Sequence, residues 1–152
     1  MAQRTQQRRI MVFGTFDGLH RGHLHFFKQA KNLVKKNLKS FLIVSVARDV
    51  NVAAIKGALP HRGERERMNL IKKLIIKSKR ADKVVLSGIK NYLPHILKEK
   101  PDIIALGYDQ SAYVQNLKKD LKSKGILVKI VRLKPYKKEI YKNRLLRAKR
   151  RT

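Results

Sequence analysis

One segment constrains the fold of this chain more than any other: residues 14–23, with the sequence GTFDGLHRGH. An apolar run at residues 9–13, typical of a buried strand, precedes it, and a helical pattern follows. The glycines at positions 14, 18 and 22 permit tight turns, and the first turn of the helix exposes N–H groups that favour an anion. The segment therefore predicts a strand, a loop and a helix N-terminus that together bind a polyphosphate.

Two histidines mark the start of that helix. His20 and His23 lie three residues apart, so both rings can face one phosphate and stabilise the charge that develops on it during transfer. The spacing is neither Walker A, which ends in Gly-Lys-Ser/Thr, nor Gly-x-Gly-x-x-Gly. A transition-metal site at His20, His23 and His25 is the alternative. It is the weaker one, because the chain has no cysteine and Asp17 is the one carboxylate nearby. Asp17 is expected to shape the loop through side-chain hydrogen bonds.

Length and composition bound what the chain can be. Its 152 residues fit one domain that is large enough to bury a core. The absence of cysteine excludes a disulfide framework and a thiolate nucleophile, and it indicates a reducing compartment. No apolar run approaches the ~18 residues of a membrane span, and the basic N-terminus leads into a strand instead of a signal-peptide core. We therefore expect a soluble, cytoplasmic protein.

The charge is unusually positive, with 38 Lys and Arg against 10 Asp and Glu and a formal net charge of +28. Such a charge raises nucleic-acid binding as a function. The basic residues are spread over most segments, however, with the densest run at residues 134–151, and solvated helix faces accommodate many lysines without any partner. We therefore do not expect a nucleic acid to be the main partner, although the charge would attract anionic nucleotides.

Strand and helix patterns alternate along the whole chain. The strands are expected at residues 9–13, 40–47, 83–86, 102–106 and 126–133. The helices are expected at residues 22–37, 63–77, 91–98 and 111–125, the last capped by Ser111 and ended by a left-handed Gly125. This order predicts an α/β fold, a single-domain Rossmann-like, doubly wound parallel sheet of five strands. Residues 1–134 form its core, and residues 135–152 add a basic C-terminal loop and helix to the same domain.

Polar residues follow several of these strands, where ligands of such sheets bind. Lys56 comes after the second strand and can reach a triphosphate. Asp109 follows the fourth strand, where its carboxylate could bind a ribose or a base, and Tyr136 follows the fifth, where its ring could stack on a base. The alternative for each is an ordinary solvated loop residue.

The residues 14–23 resemble the signature of the cytidylyltransferase-like nucleotidyltransferases, Gly-Thr-Phe-Asp followed by His-x-Gly-His, at every fixed position. The resemblance implies transfer of a nucleoside monophosphate from a nucleoside triphosphate to a phosphate-bearing acceptor, with release of pyrophosphate and no covalent intermediate. Residues 46–49 (VARD), 100–110 (KPDIIALGYDQ) and 131–134 (VRLK) look like the archaeal FAD synthases, small single-domain members of this family that adenylylate FMN. Adenylyl transfer is therefore the first hypothesis.

The same resemblance implies which residues form the site. It implies that His20 and His23 are catalytic, and that the nucleotide is bound by Thr15, Phe16, His20, Arg21, Gly22, His23, Asp109 and Tyr136. It makes Lys56, Arg65 and Arg144 candidate phosphate ligands, Arg65 being the arginine of a Glu-Arg-x-x-Met pattern. The implied cofactor is Mg²⁺ accompanying ATP, with no metal ligands on the protein, and the implied partners are ATP, FMN and a second copy of the chain.

One position departs from the family pattern. Where the family usually has Ser or Thr at the start of the last helix, this chain has Asn143 and Arg144. Asparagine can still cap a helix and arginine can still bind phosphate, so the site could be rebuilt there. Two alternative functions stay open: a cytidylyltransferase that acts on glycerol 3-phosphate or another phosphate acceptor, and a non-catalytic nucleotide- or nucleic-acid-binding relative.

Overall fold

A single parallel sheet organises the molecule. The computed structural model describes residues 7–89, 92–108, 110 and 114–135. Its strands are β1 (Gln7–Gly14), β2 (Lys39–Val46), β3 (Lys83–Leu86), β4 (Ile103–Leu106) and β5 (Lys129–Arg132). They lie in the order β3-β2-β1-β4-β5, and every neighbouring pair is parallel. This order confirms the predicted Rossmann-like sheet of five strands.

The helices differ from the prediction in two places. They are α1 (Arg21–Lys31), α2 (Asp49–Lys56), α3 (Glu64–Ser78), α4 (Leu93–Glu99) and α5 (Val114–Ser123). The predicted first helix, at residues 22–37, was too long: the N–H of Asn32 bonds back to the carbonyls of Lys28 and Ala30, and a turn follows. The prediction missed α2, which has eight residues, of which Val52 is buried, so its apolar face is too narrow to show a helical period.

The predicted fifth strand also began too early. The N–H of Ile126 donates to the carbonyl of Leu121, 3.0 Å away, and Gly125 has φ = 69°. The chain therefore finishes closing the end of α5 before it enters β5, and the left-handed glycine expected there is confirmed. The expected first residue of the third helix, Asn91, lies outside the described residues. So do residues 111–113, where the fourth helix and its cap Ser111 were expected.

The core lies on both faces of the sheet. On one face, Ile10 and Val12 of β1 pack with Phe27 of α1 and Ile71 of α3; on the other, Met11 packs with apolar residues of α4 and α5. Residues 42–46 of β2 are all buried, as expected for a strand covered on both faces. The sheet is therefore doubly wound, as predicted.

The carboxyl ends of the strands meet at one edge. Gly14 of β1 pairs with Val46 of β2, which pairs in turn with Leu86 of β3, and Leu106 of β4 pairs with Arg132 of β5. The loops after β1, β2 and β4 therefore leave the sheet side by side, where ligands of such folds bind. No helix in the described part of the chain is long and apolar enough to cross a membrane.

Candidate active site

The loop after β1 is shaped by one buried aromatic ring. Phe16 has φ = 54° and is 4 % exposed, and its ring packs against Phe27 and, edge-on, against His23. A Cβ atom on Gly14 would lie 2.6 Å from the Phe16 ring, so only glycine fits there. Because the Phe16 ring points into the core, the loop would have to contact a ligand through its backbone and Thr15 and not through this ring.

His20 and His23 cap α1 and hold each other in place. Nδ1 of His20 accepts a hydrogen bond from the N–H of Gly22 at 3.1 Å, and Nδ1 of His23 accepts one from the N–H of His20 at 3.3 Å. The two rings stack with their centroids 3.8 Å apart. Because both Nδ1 atoms are acceptors, each neutral ring carries its proton on Nε2. The arrangement fixes two N–H donors beside the N-terminus of α1.

His23 is uncharged at neutral pH. Burial of the ring, together with the nearby charge of His20, lowers the pKa of His23 from 6.5 to about 4. At pH 7 the ring therefore acts as a hydrogen-bond donor and not as a cation. The neutral form is also the one that His20 N–H requires, since a protonated Nδ1 could not accept its hydrogen bond.

The pKa of His23 predicts how stability depends on pH. Between pH 6.5 and about 4, His23 binds fewer protons in the native state than in the unfolded state. Its contribution to the free energy of unfolding is therefore fully present above pH 6.5 and is lost as the pH falls toward 4. Urea unfolding at several pH values, with an NMR titration of the His23 ring, measures this. A His23→Gln variant should show a shallower dependence. A native His23 that titrates near 6.5 would contradict the buried ring described here.

Asp17 joins the loop after β1 to the segment before α3. Its carboxylate accepts the backbone N–H groups of His61 at 2.7 Å and Arg62 at 2.9 Å. Burial raises the pKa of Asp17, but these two hydrogen bonds and the charges of His61 and Arg62 outweigh it and hold the pKa below its usual value. Asp17 thus shapes the loop, as expected, although its partners lie far away in sequence.

Arg67 ties together the segments around the site. It is completely buried, and its guanidinium donates to the carbonyls of Thr15 (2.6 Å), Ala47 (2.8 Å) and Arg62 (2.9 Å) and to the carboxylate of Asp49 (2.7 Å). The sequence reasoning missed this residue. Its signal was an arginine four positions before Ile71, on the buried face of α3.

The predicted basic residues divide into two groups. Nζ of Lys56, at the end of α2, lies 3.3 Å from Oγ1 of Thr15, so the structure brings these two together. Arg21 is exposed at the first position of α1. Arg65 is exposed on the first turn of α3 and forms no hydrogen bond or ion pair within the described part of the chain.

The loop after β4 is fixed beside β1. The side chain of Gln110 accepts from the N–H of Gly107 at 2.8 Å and donates to the carbonyl of Phe13 at 2.7 Å. Arg132 Nη1 donates to three carbonyls of the same loop, including that of Gln110 at 2.9 Å. Sequence reasoning did not assign a role to either side chain. Three predicted ligand-binding residues, Asp109, Tyr136 and Arg144, lie outside the described residues.

The histidines are not arranged as a metal centre. Within residues 7–89, 92–108, 110 and 114–135, no three His, Cys, Asp or Glu side chains are grouped so that they could hold an ion. His25 Nδ1 lies 3.0 Å from the Gln29 amide, away from the stacked pair of His20 and His23. Among the described residues, Asp17 is the carboxylate of the loop after β1, and each of its oxygens accepts one backbone N–H.

Known proteins resemble this chain in sequence. Residues 11–147 match the family model described as cytidylyltransferase-like. The chain is 43% identical over 126 residues to the FAD synthase of Korarchaeum cryptofilum, and the aligned residues cover 83% of this chain and 81% of that protein. It is also 43% identical over 128 residues to the FAD synthase of Methanothermus fervidus, covering 84% of this chain and 83% of that protein.

A solved structure agrees with these sequence matches. The crystal structure of a protein from Thermoplasma volcanium, described as a lipopolysaccharide core biosynthesis protein, superimposes with a TM-score of 0.72 and 37% sequence identity. It covers 85% of this chain and 98% of that one. With the family model matched over most of its length and its glycine and histidine loop at the edge of a parallel sheet, this chain belongs to the cytidylyltransferase-like family.

Proposed function

We propose that this chain is an FAD synthase, which transfers AMP from ATP to FMN and releases pyrophosphate. The observation that carries the proposal is the pair His20 and His23, which caps α1 at the carboxyl edge of the sheet and in which the His23 ring is uncharged. The chain that holds this pair is 43% identical to curated FAD synthases over most of its length. The capped helix N-terminus and the two Nε2–H donors suit a polyphosphate.

The chemistry follows from this placement. A phosphate oxygen of FMN attacks the α-phosphorus of ATP, a new P–O bond forms, and the bond to the β-phosphate breaks so that pyrophosphate leaves with the electron pair. His20 and His23 stabilise the charge that develops on the transferring and leaving phosphates by donating hydrogen bonds. Mg²⁺ accompanying ATP would neutralise charge on the phosphate oxygens.

The nucleoside end of the site is assigned to the segments that follow β4 and β5. We assign binding of the nucleoside to Asp109 and of the adenine side to Tyr136, with Gln110 and Arg132 holding the loop in position. Lys56 is the candidate phosphate ligand that contacts the loop after β1; Arg65 and Arg144 stay predictions, as do the homodimer and the cytoplasmic location.

A direct assay tests the function. Incubation with FMN, ATP and Mg²⁺ should yield FAD and pyrophosphate, and CTP should be the poorer donor because a site arranged for adenine leaves polar groups unpaired around cytosine. Asp109→Ala should raise the KM for ATP and leave transfer by the histidines intact. Chromatographic separation of the flavins after reaction with each triphosphate measures both effects.

Two outcomes would replace the proposal. Release of pyrophosphate from CTP and glycerol 3-phosphate, without any FAD from ATP and FMN, would make the protein a cytidylyltransferase. Binding of nucleotide without consumption of any triphosphate would make it a non-catalytic relative, and Asn143 and Arg144 would then be the first positions to restore to Ser or Thr.

A further inference from the structure

We propose that Arg62 binds a phosphate group of a substrate at the edge of the loop after β1. The inference rests on the proposed function, because it takes ATP and FMN as the two phosphate-bearing ligands. Nothing in the amino-acid sequence distinguishes Arg62 from the other lysines and arginines of the chain, which number 38 in all. Its position in the fold does.

The guanidinium of Arg62 lies directly against the loop. Gly18 has φ = 113°, and a Cβ atom built there would be 3.2 Å from Nη1 of Arg62. Gly18 therefore lets the loop backbone approach the guanidinium closely, two residues before the helix cap His20. An anion bound at this loop would meet the charge of Arg62.

The backbone of Arg62 is held from both sides while its side chain is loosely paired. Its N–H donates to Asp17 at 2.9 Å, and its carbonyl accepts from buried Arg67 at 2.9 Å. The guanidinium faces Glu66 at 3.9 Å, and both side chains are well exposed, at 43% and 64%. An exposed pair of this kind contributes little, so exchanging Glu66 for a phosphate costs little free energy.

Arg62 also completes a charge pattern that the reaction requires. Two anionic substrates must meet at the α-phosphorus, yet His23 is neutral at pH 7 and supplies no net charge. Lys56, at the end of α2, lies against Thr15, and Arg62, between α2 and α3, lies against Gly18, so both cations flank the loop. Of the two, arginine can bind a phosphate through two parallel hydrogen bonds.

The test compares Arg62→Gln with Arg80→Gln. Arg80 is an exposed arginine next to Ala81, at the amino end of β3 and therefore at the opposite edge of the sheet. Calorimetry gives the affinities for ATP and adenosine, and flavin fluorescence gives those for FMN and riboflavin. We expect Arg62→Gln to weaken binding of a phosphorylated ligand by about 10- to 100-fold and to leave binding of its unphosphorylated parent unchanged. Arg80→Gln should change none of the four.

The two pairs of ligands identify which phosphate Arg62 contacts. If Arg62→Gln loses affinity for ATP but not for adenosine or FMN, Arg62 contacts a phosphate of the donor. If it loses affinity for FMN but not for riboflavin or ATP, Arg62 contacts the phosphate of the acceptor. Arg62→Lys should recover part of the lost affinity, because it keeps the charge but not the paired hydrogen bonds. Equal affinity of wild type and Arg62→Gln for both ATP and FMN overturns the proposal. These affinities need no turnover, so failure to make FAD would refute the function without deciding the role of Arg62.

Discussion

Replacing His23 with alanine is expected to lower the rate of adenylyl transfer by about 100-fold or more, the usual cost of losing one preorganised donor to a transition state. The ring is fixed by three contacts: its hydrogen bond to His20, the stack on that ring, and the edge of Phe16. None of them can be reproduced by a methyl group. Initial rates of FAD formation at saturating ATP and FMN measure the loss, and His20→Ala should show a loss of the same size.

Two control variants separate catalysis from folding. His20→Asn retains a side-chain acceptor for the N-cap, so it should keep the helix but still lose most of the rate. His25→Ala changes the next histidine of the same helix, which pairs with Gln29 instead of the stacked rings, and it should keep the rate. Turnover near that of the wild type in folded His23→Ala would exclude the histidines as the source of transition-state stabilisation.

The five strands and their parallel, doubly wound arrangement could be predicted because buried parallel strands leave a direct trace in sequence. Residues 42–46 are all buried and, apart from Ser45, apolar, a pattern typical of a strand covered on both faces of a parallel sheet. The helices were less predictable. Helix α2 buries only Val52, and α1 ends where Asn32 turns back on the helix, so neither boundary follows from hydrophobic periodicity.

Whether a residue of the candidate site could be predicted depends on whether its contacts are near or distant in sequence. His20 and His23 act through neighbours in sequence, so their three-residue spacing was enough to predict that the two rings lie together at the start of the helix, whereas the stacking of the rings and the helix cap came from the structure. Gln110 and Arg132 act through tertiary contacts with other loops, so composition and spacing said nothing about them. Arg65 was selected from a motif, whereas Arg67, two residues later, is the one that the helix turns inward.

Replacement of Arg67 with methionine should therefore be among the most damaging changes to the fold. Methionine keeps the apolar bulk but removes all the hydrogen bonds that the guanidinium donates. The carboxylate of Asp49 loses its buried partner at 2.7 Å, and the carbonyls of Thr15 and Ala47 lose a donor. Loss of the donor to three carbonyls and one carboxylate should cost about 3–5 kcal/mol of the free energy of unfolding, which urea denaturation measures.

Arg65→Met is the matched control, because the same substitution at an exposed position of the same helix turn should change the free energy of unfolding by less than about 0.5 kcal/mol. Arg67→Lys should lie between the two, since an ammonium keeps the charge beside Asp49 but cannot reach four acceptors in the plane of a guanidinium. Because two of those acceptors are the carbonyls of Thr15 and Arg62, Arg67→Lys should also slow transfer under conditions where the protein is fully folded. Equal stability of Arg67→Met and Arg65→Met would mean that Arg67 does not hold these segments together.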